Sequence, residues 1–228
     1  MGGTGSSRLS GLFISFEGAE GCGKSTQLGR LAGRLRSLGY EVRELREPGG
    51  TVLGEELRQI LKRRSGSAGM TPEAELLLMN AARAQLVREV IRPALGRGEV
   101  VLCDRFYHSS MAYQGWGRQL DLRWVRTVID FAVGDTRPEL TLLFALAAEV
   151  GVARRRQREH QEGAEPDRFE VEGDAFFQRV ADGFQAMAVD EPERFRVIDA
   201  GGSVGNVEAA VWDQVRPRLG EPGGGVSQ

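Results

Sequence analysis

Apolar residues recur along this chain in two rhythms that take turns. Leu12–Phe16 is a short apolar run, and Leu28, Leu31, Leu35 and Leu38 then repeat at helical spacing until Gly39. A strand is therefore expected to feed a helix. Glu41–Leu45 reads as a second strand, followed by the turn Glu47-Pro48-Gly49-Gly50-Thr51 and a helix over Leu53–Lys62. Ser65–Gly69 is a loose linker. Thr71 reads as an N-cap with Pro72 at the first helical position. The helix it opens runs towards Leu95, with Pro93 in its last turns and Gly96 and Gly98 closing it. Val100–Asp104 is a continuous apolar run ending in an acid, as expected of a parallel strand buried on both faces. Helices from Tyr107 and from Asp121, a fourth strand at Leu140–Ala145 and a basic helix at Glu149–Arg158 follow. A helix over Gly173–Val189, a fifth strand at Phe195–Ile198 and a helix over Val207–Leu219 complete the series. Such alternation predicts an α/β fold of three αβα layers, with a five-stranded parallel sheet covered on both faces.

Composition narrows the class. The chain has 228 residues, enough for one domain with a large core, and shows no internal repeat. Residues 1–10 and 221–228 read as flexible ends around a single domain at 11–220. Basic and acidic residues number 30 and 32, for a net charge of −2. That balance argues against general nucleic-acid or membrane-surface binding. The two cysteines, Cys22 and Cys103, lack metal-ligand spacing and are expected as reduced thiols. The longest apolar run, Leu140–Ala148, is too short to span a bilayer, and residues 1–10 lack a signal peptide's apolar core. A cytoplasmic protein is expected.

The candidate chemistry sits at the ends of the first and third strands. Gly18, Gly23, Lys24 and Ser25 fit G-x-x-x-x-G-K-[ST], the phosphate-binding P-loop, between a strand and a helix as the motif requires. Glycines let backbone N–H groups wrap a polyphosphate, and the helix that follows turns its positive dipole end to the anion. Residues 18–26 (Gly18, Ala19, Glu20, Gly21, Cys22, Gly23, Lys24, Ser25, Thr26) are thus the candidate ATP site. Lys24 would meet the β/γ-phosphates. Ser25 and Asp104, at the end of the apolar strand, are the candidate Mg²⁺ ligands. Arg105 follows at once, and its guanidinium can clamp a second phosphate in two-pronged fashion. A second phosphate suggests a kinase acting on a phosphorylated acceptor.

Six segments make a resemblance specific: FEGAEGCGKSTQ (16–27), REPGGT (46–51), ARAQLVREVIRPAL (82–95), DRFYHSSMAYQGWGR (104–118), RPELTL (137–142) and DRFE (167–170). In content and order they resemble the bacterial thymidylate kinases, P-loop nucleoside monophosphate kinases. The resemblance implies transfer of the γ-phosphoryl group of ATP to dTMP with Mg²⁺, by a homodimer. It implies an arginine to the thymine carbonyl at Arg83, polar base contacts at Ser109 and Ser110, and an aromatic guard against the ribose 2′-hydroxyl at Tyr113, backed by Gln114. Glu20 matches an acidic position linked to the sugar 3′-hydroxyl, and Arg58 could supplement the phosphate clamp. Two positions depart from the family pattern. Met79 stands where a phenylalanine commonly stacks on the base, and Ala145 stands where an aspartate is common.

The basic run Arg154-Arg155-Arg156-Gln157-Arg158 and the stretch from His160 to Pro166 resemble the family's mobile lid, placed at about 154–168. A solvated helix face and a nucleic-acid patch are the other readings of those arginines; the second lacks aromatic interleaving. His160 has no visible partner. Gly21 occupies the P-loop position where some family members carry a catalytic arginine, so that charge is expected from the lid, at Arg158 before Arg154 or Arg156. Lys24, Arg105, Asp104 and Arg158 are then the candidate catalytic residues. Two other functions remain open at this level: a kinase of another nucleoside monophosphate, permitted by Met79, and a nucleotide-dependent switch or ATPase. Arg105 and the AYQG segment argue against a switch, which needs no acceptor site.

Overall fold

A computed structural model describes residues 11–63, 69–146, 150, 168–169 and 171–221. Five strands form one sheet in the order β2-β3-β1-β4-β5: β1 (Leu12–Gly18), β2 (Val42–Arg46), β3 (Val100–Asp104), β4 (Leu140–Ala145) and β5 (Phe195–Asp199). All neighbouring pairs are parallel. β1 lies at the centre because six of its seven residues are buried. β2 closes one edge, its Arg43, Glu44 and Arg46 exposed. The five-stranded parallel sheet expected from the sequence is the one observed.

The helices are α1 (Lys24–Ser37), α2 (Val52–Lys62), α3 (Pro72–Leu86), α4 (Arg92–Gly96), α5 (Tyr107–Ser110), α6 (Leu122–Val133), α7 (Asp174–Asp190) and α8 (Val204–Val215). All but α2 contribute to one of two cores. Leu28, Leu31 and Leu35 of α1 pack with Val207, Val211 and Val215 of α8 against Ile14, Leu102 and Leu142 of the sheet. On the other face Leu86, Ile91, Val125, Ile129 and Phe184 pack around Phe13 and Val101.

The cap expected at Thr71 forms, and Thr51 caps α2 as well. The Thr71 hydroxyl accepts from Ala74 N and the Thr51 hydroxyl from Gly54 N. The helix expected over 71–95 is not uniform, because a π-helical turn at Val87–Ile91 separates α3 from α4. Pro93 supplies a reason: its ring lacks an N–H and crowds the carbonyl one turn back, which a widened turn accommodates. The helix from Tyr107 widens likewise, passing into a π-helical segment at Met111–Gly117. The last helix is shorter than expected and ends in a 3₁₀ turn at Arg216–Arg218, which contains Pro217.

Candidate active site

β1 delivers the chain into a tight turn over residues 19–23 and then into α1. Gly18 (φ 133°) and Gly23 (φ 89°) adopt backbone conformations that side chains disfavour. A Cβ on Gly18 would also stand 2.6 Å from the carbonyl oxygen of Phe144. The turn aims the first N–H groups of α1 and their dipole across the carboxyl edge of the sheet. Lys24 is buried, and its Nζ donates to Ala19 O at 2.7 Å and to Gly18 O at 3.2 Å. Ser25 Oγ donates to Asp104 Oδ2 at 2.5 Å, joining the first turn of α1 to the end of β3.

A cleft of about 540 Å³ opens over these residues, a size suited to a nucleotide. Its P-loop wall comprises Glu20, Gly21, Gly23, Lys24, Ser25 and Thr26. Gly18, Ala19 and Cys22 are not in that wall. Cys22 turns into the core under α1, with Sγ 2.9 Å from Ala19 O. The facing wall carries Arg58 from α2, Met79 and Arg83 from α3, Asp104 at the end of β3, and Arg105, Ser109, Ser110, Tyr113 and Gln114 from the chain that follows.

Arg105 has φ 69°, in the left-handed region. Its N–H donates to Phe16 O at 2.9 Å and its Nη1 to Gly18 O at 3.0 Å. Glu20 Oε1 lies 3.7 Å from Nη2, and the guanidinium stands 5.2 Å from the centre of the Tyr113 ring. Arg83 is fully enclosed: Nε donates to Glu47 Oε2 at 2.7 Å, and Nη1 to Asn80 Oδ1 at 2.7 Å and Ser110 Oγ at 3.0 Å. Ser109 Oγ accepts from Arg105 Nη1 at 3.3 Å and donates to Glu17 Oε2 at 2.6 Å. Both serines expected at the base thus hold the site's arginines. Gln114 Nε2 donates to Glu75 Oε1 at 2.6 Å, and Arg58 Nη1 to Pro48 O at 2.8 Å. Ala145 ends β4 exposed, in register with Asp199, and nothing in the structure explains an alanine there. Arg154, Arg155, Arg156, Arg158 and His160 lie outside the described residues.

Sequence reasoning missed three buried acids, each holding an arginine-bearing wall in place. Glu17 accepts from Phe106 N at 2.8 Å and from Ser109. Burial pushes its carboxyl up to about 7, against the pull of Ser109, Arg105, the Phe106 N–H and Lys24. Glu47 pairs with Arg83, and burial raises its pKa despite that cation. Glu75 receives Arg118 Nη2 at 3.1 Å and Arg168 Nη1 at 2.6 Å. The available signal was an acid next to an apolar run, as Glu17 follows Phe16, since a carboxylate in a core needs donors around it. Arg46 and Lys62, also missed, add further cations to the cleft lining.

Known proteins match both the sequence and the fold. A family model described as Thymidylate kinase matches residues 16–211. A protein named thymidylate kinase from Pseudomonas fluorescens is 51% identical over 211 residues, 92% of this chain and 97% of that one. One of the same name from Syntrophotalea carbinolica is 46% identical over 213 residues, covering 93% and 98% respectively. The crystal structure of thymidylate kinase from Ehrlichia chaffeensis superposes with a TM-score of 0.72 at 30% identity, over 90% of this chain and 98% of that one.

Proposed function

Because the chain belongs to the thymidylate kinase family, we infer that its cleft transfers the γ-phosphoryl group of ATP to the 5′-phosphate of dTMP, giving ADP and dTDP. One observation carries the inference to these residues. Lys24 of the P-loop and Arg105 beyond β3 both donate to the same oxygen, Gly18 O, at 3.2 and 3.0 Å. A cation for the donor phosphates and a cation for the acceptor phosphate therefore meet at one point. Phosphoryl transfer needs little more than positioned groups and neutralised charge.

The two walls support the following roles. Lys24 and the N–H groups of Glu20, Gly21, Gly23, Ser25 and Thr26, which line the cleft, hold the β- and γ-phosphates of ATP. Arg105 holds the phosphate of dTMP, with Arg58 beside it. Arg83 faces the thymine carbonyl, Met79 covers the base, and Tyr113, backed by Gln114, crowds the 2′ side of the sugar. Glu20 meets the 3′-hydroxyl. The attacking atom is a phosphate oxygen that is already deprotonated, so no side-chain base is required. Ser25 and Asp104 fit Mg²⁺, because a hydroxyl and a carboxylate already in contact are hard oxygen donors. The ion, when bound there, neutralises charge on the donor phosphates.

Arg158, on a lid at about 154–168, supplies the cation that the P-loop lacks at Gly21. The protein acts as a cytoplasmic homodimer without nucleic-acid or membrane partners. Exposed Leu77, Trp124 and Phe131 on α3 and α6 support the dimer. No described helix is long and apolar enough to cross a membrane.

A coupled ADP-release assay across the common nucleoside monophosphates tests the substrate. dTMP should give the highest kcat/KM. A higher value for any other monophosphate would reassign the acceptor.

A further inference from the structure

Glu17 is completely buried, carries an ionisable carboxyl and has no part in the chemistry above. It stands on β1 between Phe16 and Gly18, the two residues whose carbonyls accept from Arg105. Its own two oxygens accept from the residues just beyond: Oε1 from Phe106 N at 2.8 Å and Oε2 from Ser109 Oγ at 2.6 Å. Ser109 Oγ in turn accepts from Arg105 Nη1 at 3.3 Å. Three consecutive residues of β1 thus grip Arg105 by its backbone N–H, its neighbour's N–H and its guanidinium.

That grip has something to oppose. Arg105 sits at φ 69°, a strained conformation for a residue with a side chain, which persists only if its surroundings over-determine it. The guanidinium leaves this backbone beside the P-loop carbonyls and the Tyr113 ring. Released from the left-handed region, the same side chain would point elsewhere. The site could form its P-loop without any of this, so the buried acid is explained by Arg105 rather than by ATP.

We propose that Glu17 is a positioning residue for phosphoryl transfer, holding Phe106 N–H and Ser109 so that Arg105 keeps its left-handed backbone and aims its guanidinium at the acceptor phosphate. The proposal rests on the dTMP-kinase function inferred above. Glu17 acts through Arg105, so its loss should weaken dTMP and spare ATP. A glutamine should do most of its work, since the amide oxygen accepts from Phe106 N and the amide nitrogen still reaches Ser109.

The test is dTMP affinity by calorimetry and KM for ATP by steady-state kinetics, for Glu17→Ala, Glu17→Gln, Arg105→Ala and the Glu17→Ala/Arg105→Ala pair. Glu17→Ala should weaken dTMP about ten- to a hundred-fold, the range for a lost hydrogen bond to a charged group, with KM for ATP within about three-fold. Glu17→Gln should recover most of that loss. In the Arg105→Ala background, Glu17→Ala should add less than about three-fold, because coupled residues do not add. Should alanine unfold the chain, Glu17→Met fills the same space without an acceptor and is read the same way. Equal weakening of ATP and dTMP, or a full additive loss without Arg105, overturns the proposal in favour of general destabilisation. A wild-type protein that fails to bind dTMP at all would instead remove the function on which the proposal rests.

Discussion

Arg83 Nε donates to Glu47 Oε2 at 2.7 Å with both side chains almost wholly enclosed. The pair ties α3 to the turn after β2, and both line the cleft. Removing the cation alone strands a buried carboxylate. Arg83→Met should therefore cost roughly 3–5 kcal/mol in urea unfolding, while Glu47→Gln, which still accepts from Nε, should cost clearly less. Equal costs for the two variants would show that the hydrogen bond kept by glutamine offsets none of the loss.

Glu17 and His108 are both fully buried, and their titrations oppose each other. Burial lifts Glu17 from 4.5 to about 7, so its contribution to stability is complete below 4.5 and is lost as pH rises through 7. Burial lowers His108 from 6.5 to about 4, so its contribution is complete above 6.5 and is lost as pH falls through 4. Each is worth roughly 3 kcal/mol at about 1.36 kcal/mol per pH unit, and over much of the same window they offset. Relative to wild type, Glu17→Gln should unmask stability that climbs with pH from 4 to 6.5. His108→Gln should unmask stability that falls between 4.5 and 7. Urea midpoints across that range decide it, and three parallel curves would sink the prediction.

Met79 is half-buried on α3, one turn before Arg83, and lines the cleft. A flexible thioether covers a base less rigidly than a ring. Met79→Phe should tighten dTMP, by at most the roughly 1–3 kcal/mol of aromatic stacking on a base. Calorimetry giving equal or weaker binding would place Met79 away from the base.

The sequence made the sheet legible because apolar runs and helical spacing are local signals. It made the P-loop and the Ser25–Asp104 contact legible because their motif spacing carries its own geometry. Arg105 was legible as a cation beside the P-loop, but its left-handed backbone was not, since Phe16, Glu17 and Gly18 of another strand hold it. Glu47 and Glu75 were illegible for the same reason. Each lies 36 or more positions from an arginine it holds, and only the folded chain joins them. Ser109 and Ser110 were found by resemblance, yet their hydroxyls serve Arg105 and Arg83, a division of labour that motif spacing does not encode.

Gly21 leaves the P-loop with Lys24 as its lysine or arginine, so the transferred group needs another positive charge. Arg158→Ala should lower kcat about 10³-fold or more, the low end for an arginine finger, with little change in KM for dTMP. Arg158→Lys should recover only part, because an ammonium lacks the forked contact. Normal turnover in Arg158→Ala with loss in Arg154→Ala or Arg156→Ala would move the role to that arginine. Normal turnover in all three would end it.

The central claim is that one cleft joins ATP on the P-loop to dTMP at Arg105. Its most direct test follows label from γ-³²P-ATP in the presence and absence of dTMP, with Lys24→Ala alongside. Label is expected in dTDP, dependent on dTMP and nearly abolished in Lys24→Ala while the variant's fold is retained. Label released as inorganic phosphate at the same rate without dTMP, or undiminished transfer in Lys24→Ala, would contradict it.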